Sequence, residues 1–173
     1  MNRQRDCLLI AGIPAIGKSF FSRWLAREHG YAHIDIDIDA NNPAVDVAKI
    51  LQVLHDCFAA KTSQDTKVLL GTLPPRVVVD WGFPPERLAQ VAKLKDAGVR
   101  LFWFDSDRAR ARAEFINRDT VSVSALDVQM PLIEKEWERI SALFAPNEID
   151  MLSADGQRKS PEEIWRLMNA RVA

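Results

Sequence analysis

The predicted fold is decided by a stretch of eight residues, Gly12-Ile13-Pro14-Ala15-Ile16-Gly17-Lys18-Ser19. The stretch fits the pattern G-x-x-x-x-G-K-[ST] at every fixed position. Its two glycines let the backbone turn tightly and approach phosphate oxygens without a Cβ in the way. The loop amides and the start of the next helix then form a concave site for an anion. The stretch therefore predicts a loop that binds nucleotide phosphates.

Two side chains of this loop carry its predicted chemistry. Lys18 brings a positive charge to the β and γ phosphates, and the Ser19 hydroxyl can ligate Mg²⁺. A buried-strand pattern precedes the loop and a helical pattern follows it, as the motif requires. Ile16 replaces a small residue and Phe20 follows the motif, but neither change removes a ligand. We expect the nucleotide to contact Gly12, Ile13, Pro14, Ala15, Ile16, Gly17, Lys18, Ser19 and Phe20.

The rest of the chain alternates short apolar runs with amphipathic stretches. Strands are predicted at residues 7–11, 31–38, 76–80, 99–104 and 149–152. Helices are predicted at residues 18–29, 45–60, 85–97, 107–117, 124–144 and after a capping box at 160–163. Pro131 should kink or restart the long helix that contains it. Strands separated by helices are typical of an α/β domain with a mostly parallel sheet, and the short linkers predict one domain over residues 1–173.

The composition excludes several classes of protein. A chain of 173 residues with 47% hydrophobic and 27% charged residues is an ordinary globular one. Its formal charge of −1 provides no general attraction to nucleic acid or to an anionic membrane. No apolar run approaches the roughly 18 residues of a membrane span, and the charged start does not suit a signal peptide. Cys7 and Cys57 are read as reduced thiols, so we expect a cytoplasmic protein.

Carboxylates are expected at two strand ends near the loop. Asp80 ends a β-branched run and is the predicted Mg²⁺-associated acid, the alternative being a polar residue that opens the next loop. Asp35, Asp37 and Asp39 alternate along the second predicted strand and would share one face of it. Asp37 is the predicted acceptor-binding acid or general base, with Asp39 as the second choice. The alternative for these three residues is a solvated face of an edge strand.

Arginines follow the fourth predicted strand, at Arg108, Arg110, Arg112 and Arg118. On a helix, Arg110, Glu114 and Arg118 lie four apart and could form a ladder on a solvated face. Arginines on a mobile helix can instead close over transferring phosphates and neutralise the charge of the transition state. We predict that role for Arg112 and then for Arg118.

The tryptophans and histidines are mostly expected to be structural. Apolar stripes or strands contain Trp24, Trp103, Trp137 and Trp165. Trp81 follows Asp80 at a strand end, where it could stack on an acceptor or cover the sheet edge. The histidines lack carboxylate or cysteine partners at metal-ligand spacing, so a zinc site is not expected.

With these motifs in place, the chain resembles the small P-loop kinases, a group that includes predicted AAA-type ATP-binding kinases, gluconate kinase, chloramphenicol phosphotransferase and the kinase domain of phage polynucleotide kinase. The resemblance spans roughly residues 7–137 and rests on residues 12–19, Asp37, residues 77–83, and residues 104–107 leading into Arg112 and Arg118. It implies a three-layer P-loop NTPase fold with a five-stranded parallel sheet in the order 2-3-1-4-5. It also implies a short helical lid at about residues 107–123, and ATP with Mg²⁺ as the phosphoryl donor.

These observations favour a phosphotransferase that moves the γ-phosphoryl of ATP to a hydroxyl of a small molecule. In this interpretation Lys18 binds phosphates, Ser19 and Asp80 organise Mg²⁺, Asp37 receives the acceptor hydroxyl, and Arg112 and Arg118 close on the phosphoryl group. One alternative is a nucleotide-binding switch or slow NTPase that acts through a protein partner. Another, a polynucleotide 5′-hydroxyl kinase, is disfavoured because no basic track for a phosphate backbone is present. The sequence identifies neither the acceptor nor an oligomeric state.

Overall fold

A five-stranded parallel sheet organises the computed structural model, which describes residues 5–39, 45–82, 84–107 and 123–171. The strands are β1 (Asp6–Gly12), β2 (Ala32–Asp35), β3 (Arg76–Trp81), β4 (Arg100–Asp105) and β5 (Glu148–Asp150). Their spatial order is β2-β3-β1-β4-β5, and every neighbouring pair is parallel. The structure therefore confirms the α/β class and the sheet order 2-3-1-4-5.

The central position of β1 explains its continuous apolar run. β1 pairs with β3 on one side and β4 on the other, and Leu8, Leu9 and Ile10 are at most 1% exposed. A parallel strand that is covered on both faces has no solvated side, so it lacks the alternation of a half-exposed strand. The register places Asp35 opposite Asp80. The carboxyl ends of the strands therefore meet at one edge of the sheet, and the loop after β1 lies at that edge.

Helices connect the strands, and their bounds are α1 (Lys18–His29), α2 (Ile36–Asp39), α3 (Val45–Ala59), α4 (Ser63–Leu70), α5 (Leu88–Asp96), α6 (Val123–Lys135), α7 (Trp137–Phe144) and α8 (Pro161–Ala170). One turn of 3₁₀ helix at Pro85–Arg87 precedes α5. The predicted capping box is confirmed, since Ser160 and Glu163 each accept the other's backbone N–H. α4 was not predicted, although Thr62 caps it by accepting the Asp65 N–H at 3.1 Å. Within the described ranges, no helix combines the length and the apolar composition that a membrane span needs.

The second strand and the long helix at 124–144 differ most from the prediction. The second strand was expected to run to residue 38, but it ends at Asp35 and Ile36–Asp39 forms a helical turn. The Asp39 carboxylate stabilises this turn by accepting the Asp35 N–H at 2.8 Å. The prediction that Asp35, Asp37 and Asp39 share one strand face is therefore wrong. The predicted helix at 124–144 is also divided, at Glu136 and not at Pro131, which lies inside α6.

Aromatic side chains fill the core on both sides of the sheet. The Phe21 ring lies 5.6 Å from Trp24 and 5.5 Å from Phe104. The Trp103 ring lies 5.8 Å from Trp137 and 5.4 Å from Phe144. The prediction that four tryptophans are structural is confirmed, because Trp24 and Trp103 are buried while Trp137 and Trp165 pack against the core.

Candidate active site

The loop between β1 and α1 has a backbone that only particular residues can adopt. Gly12 has a φ of 153°, and a Cβ at this position would lie 2.2 Å from the carbonyl oxygen of Phe104. Gly17, with a φ of 103°, is the N-cap residue of α1 and provides no side chain to cap it. The first turn of α1 contains no acidic residue either. Neither the N-cap nor the first turn of α1 therefore provides a carboxylate, which suits an anion at the positive end of the helix.

Lys18 lies across this loop and is 9% exposed. Its ammonium group donates to the carbonyl oxygens of Gly12 at 3.1 Å and Ile13 at 3.0 Å. These contacts hold the positive charge close to the loop that the motif assigns to phosphates. A lysine ammonium binds phosphate as a compact point charge, so its position decides where the charge acts.

The Ser19 hydroxyl lies between two buried carboxylates. Its Oγ is 3.2 Å from Asp35 Oδ2 and 3.2 Å from Asp80 Oδ1. Asp35 and Asp80 are 7% and 2% exposed and lie opposite each other, Asp35 as the last residue of β2 and Asp80 as the last but one of β3. These three side chains present only hard oxygen donors, which is the donor set that Mg²⁺ prefers. The residues present therefore fit a magnesium ion next to the phosphate loop.

His33 contacts the second oxygen of Asp80. Its Nε2 lies 2.5 Å from Asp80 Oδ2, while Asp80 Oδ1 faces Ser19. His33 precedes Asp35 by two residues on β2, so both side chains lie on the same face of this strand. Sequence reasoning missed the contact of His33 with Asp80 and the contact of Asp35 with Ser19. Side chains alternate between the two faces of a strand, and β2 pairs with β3. These two facts together could have placed His33 and Asp35 beside Asp80.

Asp37 and Asp39, both in α2, accept hydrogen bonds from different parts of the chain. Asp37 is exposed, and its Oδ2 accepts the Gly82 N–H at 2.9 Å. Gln129 of α6 donates to the Gly82 carbonyl oxygen, so the Gly82 peptide joins α2 to α6. Asp39 Oδ2 is used to stabilise the turn, as described above. Asp37 therefore lies at the carboxyl edge of the sheet beside Gly82.

A cation from a distant part of the chain contacts the phosphate loop. Arg158, between β5 and α8, donates to the carbonyl oxygens of Ile16 at 3.0 Å and Ala15 at 3.4 Å. The contact joins residues that are 142 positions apart, which explains why the sequence did not reveal it. The predicted phosphate-capping residues Arg112 and Arg118 lie outside the residues that the structure describes.

The apolar side chains in and around the phosphate loop differ in their exposure to solvent. Ile13 and Ile16 are 0% and 2% exposed, so these two side chains pack into the core. Phe20 is 67% exposed on α1. Trp81 is buried and its ring stacks on Phe58 at 5.5 Å. The bulk of Ile16 is therefore a packing feature.

A cavity of about 560 Å³ opens where β4 and β5 end. Asp105 and Asp150 line it from the strand ends, and Gly156 lines it from the loop after β5. The same loop carries Arg158 to the phosphate loop. This cavity therefore lies on the opposite side of β1 from β2 and β3, and the loop after β5 links it to the phosphate loop.

Comparison with known proteins identifies structural neighbours. No protein-family model matches the sequence, and no curated protein matches it either. A gluconokinase from Sinorhizobium meliloti 1021 superposes with a TM-score of 0.55 at 18% identity, covering 99% of this chain and 95% of that one. A shikimate kinase from Bacteroides thetaiotaomicron superposes with a TM-score of 0.52 at 12% identity, covering 96% and 95%. The chain thus shares its fold with this gluconokinase and this shikimate kinase along nearly its whole length.

Proposed function

We propose that this protein is an ATP- and Mg²⁺-dependent phosphotransferase that moves the γ-phosphoryl group of ATP to a hydroxyl of a small molecule. The observation that carries the proposal is the Ser19 hydroxyl held between two buried carboxylates, beside a loop with a lysine across it. The fold shared with two proteins named as kinases supports the same conclusion.

The nucleotide phosphates bind at the loop in this proposal. Lys18 places its ammonium against the β and γ phosphates, and the loop amides with the α1 N-terminus surround them. Arg158 holds two loop carbonyl oxygens from outside and thereby keeps the loop in shape. Ser19, Asp80 and Asp35 would hold Mg²⁺, which when bound neutralises phosphate charge. The cavity at the ends of β4 and β5 has room for the nucleoside.

Asp37 acts on the acceptor in this proposal. Its Oδ2 is oriented by the Gly82 N–H, and its exposure lets an alcohol reach the carboxylate. The acceptor O–H proton passes to Asp37 as the acceptor oxygen bonds to the γ phosphorus. The bond from that phosphorus to the bridging oxygen breaks, and ADP leaves with the electron pair. Arg112 and Arg118 are proposed to cover the transferring group from the lid at about residues 107–123.

The test is an ATP-depletion screen against sugars, nucleosides, aminoglycosides and oligonucleotides. We expect a phosphorylated small molecule from the wild type. Asp37→Asn should keep ATP affinity and lose transfer, because it retains the shape of Asp37 without its basicity. Full activity of Asp37→Asn would remove Asp37 as the base. Hydrolysis of ATP without a phosphorylated product would instead indicate a slow NTPase.

A further inference from the structure

A second cavity lies on the β2 side of the sheet edge. Its volume is about 460 Å³, within the roughly 300–1,000 Å³ range of small-molecule pockets. Residues of α3 form most of its wall, and Ile36 of α2 also lines it. We call it the α3 cavity. It is on the opposite side of β1 from the cavity at β4 and β5, which is proposed above for the nucleoside.

The α3 cavity adjoins the segment of chain that carries two of the acidic residues. Ile36, in its wall, lies between Asp35, which contacts Ser19, and Asp37, which contacts Gly82. Phe58, also in its wall, stacks on Trp81, the residue between Asp80 and Gly82. A molecule against Ile36 would therefore lie one residue along the chain from Asp37, the carboxylate that receives the acceptor proton in the proposed reaction. Trp81 supports the wall from the core.

The chemistry of the wall restricts what it can bind. Five of the described lining residues are apolar, namely Ile36, Ala48, Leu51, Leu54 and Phe58. The other two are Gln52, whose amide donates to Asp56 at 2.9 Å, and His55, whose side chain is 78% exposed. Lysine, arginine and carboxylate side chains are absent from this described lining. An acceptor with many hydroxyls or a carboxylate would lose water there and find only these two polar side chains as partners.

We infer that the acceptor is an alcohol with an apolar, ring-sized body, which binds in the α3 cavity while its hydroxyl faces Asp37. This inference rests on the proposed phosphotransferase function and names its substrate class. The apolar body binds because burial removes its surface and that of Leu51 and Phe58 from water. The α3 cavity thus selects the acceptor, and the phosphate loop selects the donor.

The test combines phosphoryl transfer with a direct binding measurement. The probes are 2-phenylethanol and cyclohexylmethanol, compared with glucose, gluconate and shikimate. Transfer is measured from radiolabelled ATP, and binding is followed by the NMR shift of the His55 ring. His29, whose ring lies 4.7 Å from Trp24 and 5.0 Å from Trp165, is the internal reference. Ala48→Phe fills the cavity, and Lys49→Phe adds the same ring at an exposed neighbouring position outside it.

We expect the two apolar alcohols to be phosphorylated and to shift His55 in a saturable way. Ala48→Phe should weaken their binding by about tenfold or more, and Lys49→Phe should behave as the wild type. Transfer to glucose, gluconate or shikimate, with no His55 shift from the apolar alcohols, would overturn the inference and leave the proposed function standing. A saturable His55 shift without any phosphorylated product, from these probes or from the acceptor screen above, would overturn the proposed function and support the cavity's ligand class. Absence of both signals would overturn both.

Discussion

Replacing Gly12 with alanine should destabilise the protein through a contact inside the sheet. The new Cβ would lie 2.2 Å from the Phe104 carbonyl oxygen, and this atom belongs to the paired strand β4. Backbone atoms of a paired strand cannot move aside as a flexible side chain can. The glycine was predicted to allow close approach to phosphate. The structure adds a steric reason for glycine at this position. Without a Cβ, the last residue of β1 can lie against the backbone of β4.

The magnitude follows from two contributions. A residue held at the unfavourable φ of 153° costs about 1–3 kcal/mol. Inserting a methyl group into a closely packed interior costs about 1–3 kcal/mol more. The sum of about 2–6 kcal/mol is a large part of the roughly 5–15 kcal/mol that stabilises a typical domain. Gly98→Ala is the matched control, since its φ of 100° is also positive but no atom lies within 4 Å of the new Cβ.

Urea unfolding followed by circular dichroism measures both variants. We expect a lower midpoint for each with an unchanged slope, and a loss for Gly12→Ala that exceeds the loss for Gly98→Ala by about 1–3 kcal/mol. ATP affinity should fall only in the Gly12 variant, because Gly98 lies outside the candidate site. Equal loss of stability in the two variants would refute the steric argument.

The remaining predictions concern the site and the thiols. His33→Leu should cost about 1–3 kcal/mol in urea unfolding because Asp80 Oδ2 loses its partner, and an unchanged midpoint would contradict this. Arg158→Leu should raise the KM for ATP several-fold with little change in the KM for the acceptor, and an equal rise in both would contradict its loop-holding role. Burial raises the pKa of Cys7 to about 12 and that of Cys57 to about 11, so both folded thiols keep their protons at pH 9. They should therefore react slowly with a disulfide reagent at that pH and rapidly in urea; fast reaction of the folded protein would contradict their burial. Unfolding exposes thiols that ionise near pH 9, so their contribution to stability should decline as pH rises above 9.

The fold was largely predictable because its signals are local. The phosphate loop and its flanking strand and helix lie within residues 6–29, and each of the five strands overlaps a predicted one. The end of β2 was not predictable in the same way. Ile and Asp alternate from Ile34 to Asp39, which fits an extended strand as well as a strand followed by a turn. The hydrogen bond from the Asp35 N–H to the Asp39 carboxylate decides between them, and periodicity does not contain that contact.

The site was less predictable because its contacts join distant residues. Ser19 and Asp80 are 61 positions apart, and His33 and Asp80 are 47 apart. Asp80 could be proposed because it ends a strand, but the partners of its two oxygens depend on how β2 and β3 align. Arg158 gave no motif at all. The lid at about residues 107–123, the single domain over residues 1–173 and the cytoplasmic location stay predictions.

The central claim is transfer of the γ-phosphoryl group to a carbon-bound hydroxyl, and mass spectrometry of the reaction products tests it most directly. The wild type with ATP, Mg²⁺ and the acceptor panel should form a phosphate ester and one ADP for each ester. Lys18→Ala should form neither, because the ammonium that meets the β and γ phosphates is removed. Release of inorganic phosphate without an ester would contradict the claim, as would ester formation by Lys18→Ala at the wild-type rate.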